Sequence, residues 1–119
     1  MFRSRDRFEK KVREYLEACY RAESPPRVTE LADRLGITVA QLGRLYRKLF
    51  GGNVSDYLKK HQVEHAERLL RDTRLTVTQI AYKAAFGTRR TFFRVYRRVK
   101  GETPDQFRAR TREDELAAK

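Results

Sequence analysis

Phe92-Phe93-Arg94-Val95-Tyr96-Arg97-Arg98, closed by Gly101, decides the reading of this chain. The same pattern has already occurred once, as Leu42-Gly43-Arg44-Leu45-Tyr46-Arg47-Lys48, closed by Gly51. The approach to each run repeats too: Val28-Thr29-Glu30-Leu31-Ala32 returns as Val77-Thr78-Gln79-Ile80-Ala81. The two copies lie 49 residues apart over the approach and 50 apart over the run. An internal repeat names an architecture before any local feature does. Here each copy is a short helix, a turn and a longer basic helix, the outline of a helix-turn-helix. Two copies put two reading heads on one polypeptide.

Outward from the repeat, apolar residues recur at helical spacing and almost nothing argues for strands. Phe8, Val12, Tyr15, Leu16 and Cys19 share one face of a first helix over about residues 5–21, broken by Ser24-Pro25-Pro26. A second helix over 28–35 turns Leu31 and Leu35 inward and ends at Gly36. Thr38 caps a third, to about Phe50, that buries Leu42, Leu45, Tyr46 and Leu49. Gly51-Gly52 stops it. Ser55 caps a long fourth helix to about Arg71, carrying Tyr57, Leu58, Val63, Ala66, Leu69 and Leu70. Thr76 with Gln79 forms a capping-box pattern for a fifth, over 77–84. Thr88 caps a sixth, with Phe92, Val95, Tyr96 and Val99 inward, and Gly101 ends it. Thr103-Pro104, a cap followed by proline at the first helical position, starts a seventh that carries Phe107. The charged tail from Thr111 is expected to fray.

The expectation is an all-α chain of about seven helices: two helix-turn-helix subdomains, 1–51 and 74–110, a connecting helix within 52–73, and a tail over 111–119. Each half alone is a marginal folder, so both should pack on the connector.

Composition narrows the partner. Lys and Arg total 28 against 16 Asp and Glu, a net charge of +12 and a pI near 10.3. Arg dominates the basic set, which suits phosphate and guanine contacts. A small, strongly basic chain has the footprint of a nucleic-acid binder, one it shares with membrane-surface and ribosomal proteins. Cys19 is the single cysteine, so no internal disulfide can form, and no Cys/His spacing fits a zinc finger. No apolar run reaches transmembrane length, and no apolar segment follows the basic Met1-Phe2-Arg3-Ser4-Arg5. These features point to a cytoplasmic protein of the bacterial nucleoid, without membrane, metal or cofactor.

The sixth helix carries the strongest local signal. Its outward positions are Arg89, Arg90, Phe93, Arg94, Arg97 and Arg98, and the stretch 73–101 contains no Asp or Glu. A solvated charged face normally offers a carboxylate at i+4, and none is supplied here. The major groove of B-DNA admits one α-helix, and residues near that helix's N-terminal end reach the base edges. In the third helix those positions are Val39, Ala40, Gly43 and Arg44; in the sixth they are Arg89, Arg90, Phe93 and Arg94. Phe93 suits contact with a thymine methyl and equally suits packing against the seventh helix. Arg47, Lys48, Arg97 and Arg98 lie a turn further on, placed for phosphate. Thr38 and Gln41, and Thr88 and Thr91, flank the two helix starts and join that phosphate set.

Together these residues resemble the DNA-binding domain of the AraC/XylS family of bacterial transcription regulators, over about residues 8–110. The second motif is the most specific piece: Ile80-Ala81, Phe86, the run from Phe92 to Arg98, Gly101-Glu102-Thr103-Pro104 and Phe107-Arg108. Leu31-Ala32, the run from Leu42 to Lys48, Gly51 and Tyr57 agree with it in the first copy. The resemblance implies two helix-turn-helix subdomains on a long central helix, with both recognition helices in successive major grooves on one DNA face. By position it implies base reading by Ala40, Gly43 and Arg44, and by Arg89, Arg90, Phe93 and Arg94. Gly43 in mid-helix offers no side chain that could read a base, which makes the first head the weaker specifier, and two further positions depart from the family pattern. Ala85 replaces a usual glycine before Phe86, which implies a looser turn, and Gln62 stands where arginine is common.

The family's usual effector-binding domain has no counterpart in this sequence. The starting Met and the first helix favour a stand-alone chain, a monomer on an asymmetric site, over a piece from which the sensor domain has been removed. Activation, with RNA polymerase as a second partner, fits such members. The rivals are an RNA- or ribosome-associated basic protein and a module whose arginine-rich helix docks an acidic protein such as a polymerase subunit. No acid/base constellation points to an enzyme: Asp56, Glu64 and Glu67 form none. His61 and His65, at i and i+4, lack further ligands and read as surface or phosphate-facing side chains.

Overall fold

Side chains set most of the helix starts. Thr38 and Gln41 form a complete capping box, and so do Thr76 and Gln79. Thr103 and Gln106 exchange the same pair of bonds ahead of Pro104. In the computed structural model, which describes residues 2–118 and the side chains of 4–117, these caps frame seven helices and no strand among the described residues. They are α1 (Phe2–Ala22), α2 (Val28–Leu35), α3 (Val39–Phe50), α4 (Val54–Asp72), α5 (Val77–Lys83), α6 (Arg89–Lys100) and α7 (Pro104–Ala118). Met1 and Lys119 lie outside the described residues.

Three local expectations are corrected. The fourth helix is capped by Asn53, not Ser55: Asn53 Oδ1 accepts from the Asp56 backbone N–H at 2.9 Å. Both residues are good caps, but Gly52 at φ +77° ends the turn one residue before Asn53, which makes Asn53 the first extended position. The tail does not fray at Thr111. α7 continues to Ala118 through Arg, Glu, Leu and Ala, all strong helix formers. Val99 is 41% exposed, because it lines a cleft opposite Asp56 and Lys59 of the fourth helix instead of joining the second core.

α4 is the spine. Its Val54 and Leu58 belong to one core, with Phe8, Val12, Tyr15, Leu16, Leu31 and Leu42. Its Val63, Ala66 and Leu70 belong to a second, with Ile80, Phe92, Tyr96 and Phe107. Full burial of each large apolar side chain is worth about 1.5–3 kcal/mol, so both cores draw part of their stability from α4. The last turn of α4 is held by Arg108 from α7. Its Nε donates to the Leu70 carbonyl at 3.0 Å and its Nη2 to the Thr73 carbonyl at 3.1 Å, and Nη1 reaches the Leu75 carbonyl. The carbonyls that a helix end leaves unpaired are thus satisfied by a buried guanidinium.

The histidines are packing groups, which corrects their surface reading. His65 stacks on Tyr20 of α1, ring centroids 4.1 Å apart, and His61 lies 4.5 Å from the Tyr57 ring. Both rings pack at or beside the α1–α4 contact because α4 turns one side toward α1. Burial pushes both imidazoles below the ordinary histidine range.

Candidate nucleic-acid interface

α3 buries Leu42 and Tyr46, which turns Val39, Ala40, Gly43, Arg44, Arg47 and Lys48 outward, all exposed. Thr38 and Gln41 are committed to the helix start. Gln41 N donates to Thr38 Oγ1 at 3.1 Å, and Thr38 N donates to Gln41 Oε1 at 2.9 Å. Their side chains therefore orient α3 instead of projecting from it.

α6 buries Phe92, Val95 and Tyr96 and exposes Arg89, Arg90, Arg94, Arg97 and Arg98. Thr88 Oγ1 accepts from the Thr91 N–H and donates to Thr91 Oγ1, each at 3.0 Å, so this pair too serves the cap. Phe93 is half-buried against the second core, edge-on to Phe92 at 6.1 Å. The Arg89 guanidinium lies 4.8 Å from the Phe93 ring centre and 3.6 Å from Asp105 of α7. Phe93 is therefore shared between core and surface, and Arg89 is tethered. Among the described residues Arg44, Arg47, Lys48, Arg90, Arg94, Arg97 and Arg98 enter no ion pair. The free cations of α6 thus begin at Arg90.

Arg94, Val95, Arg98 and Val99 line one wall of a cleft of about 400 Å³, and Asp56 and Lys59 of α4 line the other. Lys59 is a cation that sequence reasoning missed. Its position on α4 carries no motif, and only the α4–α6 packing brings it beside Arg94 and Arg98.

The turns that aim the two helices are alike. After α2, Gly36 at φ +71° donates to the Asp33 carbonyl and Ile37 to the Ala32 carbonyl. After α5, Ala85 at φ +63° donates to the Tyr82 carbonyl and Phe86 to the Ala81 carbonyl. Both are Schellman-type ends. The departure at Ala85 therefore leaves the turn as tight as its glycine counterpart, which corrects the looser turn expected there. Gln62 is 6% exposed, and its Nε2 donates to the Ala84 and Ala85 carbonyls, both at 3.1 Å.

No described helix is long and apolar enough to cross a membrane, and no group of three or more His, Cys, Asp or Glu among the described residues could hold a metal ion.

Known proteins share this arrangement. A family model described as a helix-turn-helix domain matches residues 31–110. The transcriptional regulator GlxA of Rhizobium meliloti strain 1021 is 30% identical over 89 residues, 75% of this chain and 28% of its own length. The chain thus spans under a third of that curated relative. A transcriptional regulator from Chromobacterium violaceum, described as one of the AraC-type DNA-binding domain-containing proteins, has a solved structure that is 26% identical with a TM-score of 0.70, over 87% of this chain and 93% of that one. The DNA-binding domain of AdpA, solved in complex with a target DNA, shares the fold at 24% identity and a TM-score of 0.75, over 87% of this chain and 94% of that one. With its repeated motif, seven-helix fold and family match in agreement, this chain belongs to the AraC-type helix-turn-helix family of transcription regulators.

Proposed function

We propose that this chain is a sequence-specific double-stranded DNA-binding regulator that lays α3 and α6 into successive major grooves. The carrying observation is α6: four exposed arginines, Arg90, Arg94, Arg97 and Arg98, stand on a helix of fixed orientation with no carboxylate partner among the described residues. An exposed helix with unpaired guanidiniums matches the donor pattern that guanine O6 and N7 and the phosphates accept. Ala40, Gly43 and Arg44 read one half-site; Arg89, Arg90, Phe93 and Arg94 read the other. Arg47, Lys48, Arg97 and Arg98 hold phosphate, joined by Lys59. Thr38, Gln41, Thr88 and Thr91 serve phosphate through the helix starts they cap. Arg89 leaves its exposed pair with Asp105 at small cost, because such pairs are worth about 0–1 kcal/mol.

The two heads, in residues 1–51 and 74–110 with the linking helix between them, are unequal: α3 offers Ala40, Gly43 and one arginine, Arg44, where α6 offers Phe93 and three, Arg89, Arg90 and Arg94, so the site is asymmetric and one monomer fills it. Regulation is activation, with RNA polymerase as second partner and the bacterial nucleoid as location, and no catalysis is involved. Selection from a random duplex pool tests the proposal. An asymmetric consensus with two half-sites one helical turn apart is expected. Equal affinity for duplex RNA and the best duplex DNA would overturn it in favour of the RNA-associated reading.

A further inference from the structure

We propose that Gln62 is a positioning residue that locks the two heads together and thereby sets the half-site spacing the protein accepts. This rests on the two-groove reading above. Gln62 lies on the spine helix, outside both repeats, and touches neither α3 nor α6 by hydrogen bond. Its amide bridges α4 to the turn that launches α6. Both Nε2 hydrogens are used, on the Ala84 and Ala85 carbonyls. Only the NH₂ end of the amide can satisfy two carbonyls at once, so the side chain has one orientation.

Two further contacts close on the same turn from the first head. Ala85 is fully buried and belongs to the first core, not to the core of its own head. A Cβ placed on Gly87 would lie 3.2 Å from Pro25 Cγ, so the α1–α2 loop sits directly against the start of α6. The turn is therefore gripped by α4 through Gln62, by the first core through Ala85, and by Pro25. Ala85 holds a left-handed φ of +63° that an L-residue keeps only where its surroundings over-determine it. Without the Gln62 bonds, two buried carbonyls lose their partners and the turn can pivot on its remaining contacts.

A rigid pair of heads reads one spacing. One inserted base pair moves the second half-site by about 3.4 Å and turns it by roughly 35°. A fixed body cannot follow that change; two heads on a pivot can.

The test uses the full chain, the duplex site selected by the wild type, and the same site with one base pair inserted or removed between half-sites. The wild type is expected to lose at least tenfold in affinity on either altered site. Gln62→Met, near-isosteric and without donors, is expected to bind the selected site several-fold more weakly and to lose threefold or less on the altered ones. Gln62→Arg, which restores two donors, is expected to regain the wild-type spacing penalty. A general loss of stability would lower all affinities and leave the penalty ratio unmoved. Should Gln62→Met fail to fold, Pro25→Ala, at an exposed loop position, carries the test, and its penalty has to narrow in the same sense. An unchanged penalty in the folded variant, or no penalty in the wild type, overturns the lock and leaves the DNA reading standing. A wild type that selects no site overturns the DNA reading itself.

Discussion

Arg94 is exposed, enters no ion pair among the described residues and lies on the second turn of α6, where a helix in the major groove meets base edges. Arg94→Ala is expected to weaken binding to the selected site by about 1–3 kcal/mol. An unchanged Kd by titration would remove α6 from base reading. Gly43 shows the opposite economy on α3. It is exposed in mid-helix, and a Cβ there would meet nothing within 4 Å. Gly43→Ala is therefore expected to raise stability by about 0.5–1 kcal/mol in urea unfolding. A loss of stability would mean that the glycine has a packing role that the surrounding space does not reveal. Both positions were legible in the sequence, since the alternation of buried and exposed residues along a helix follows from its period. The tethering of Arg89 was not, because Asp105 reaches it from another helix.

Between elements, one side chain often decides how two helices meet. Arg108 ties α7 to the end of α4 through carbonyls that no other described side chain serves, apart from the bond of Thr73 Oγ1 to Leu69. Arg108→Ala is expected to cost about 2–4 kcal/mol in chemical unfolding, since buried carbonyls lose charge-assisted donors. A cost below about 0.5 kcal/mol, typical of a surface change, would show that water replaces the guanidinium. The α1–α4 contact carries the pH dependence. Burial disfavours the charged forms of His65, on Tyr20 and beside Arg68, and of His61, so their folded pKa values lie below the unfolded value of about 6.5. The stability they contribute is full above pH 6.5 and is lost as pH falls through the lowered folded values, because the unfolded chain takes up protons first. Tm measured from pH 8 down to 5 should fall below pH 6.5, and His65→Phe should flatten that fall. A Tm curve identical in the variant would place the dependence elsewhere.

Over the whole molecule, the proposed function divides the work: charge sets how tightly DNA is held and the fold sets where. Arg97 and Arg98 project from the last turns of α6, beyond the positions proposed to read bases. Arg97→Ala and Arg98→Ala are expected to weaken all duplex sequences alike, and each should reduce the slope of log K against log salt by about one. A sequence-dependent loss would move them into the base-reading set. The body is elongated, 48 × 27 × 21 Å, with both cores strung along α4. That length suits the proposed placement of two heads along one face of the DNA.

What the sequence by itself determined is local and periodic: seven helices, most of their caps, the buried stripes, and two basic helices in a repeat. These follow from interactions within a few residues, which a linear string displays. What only the tertiary structure decided lies between residues far apart. Gln62 binds carbonyls 22 and 23 residues away, Arg108 caps a helix 38 residues earlier, and Ala85 fills the core of the other head. The histidines read as surface groups because their spacing on α4 says nothing of α1 lying across them. Each of these contacts is made when two helices come together, and a partner's identity is set by that approach rather than by the residue's own neighbours.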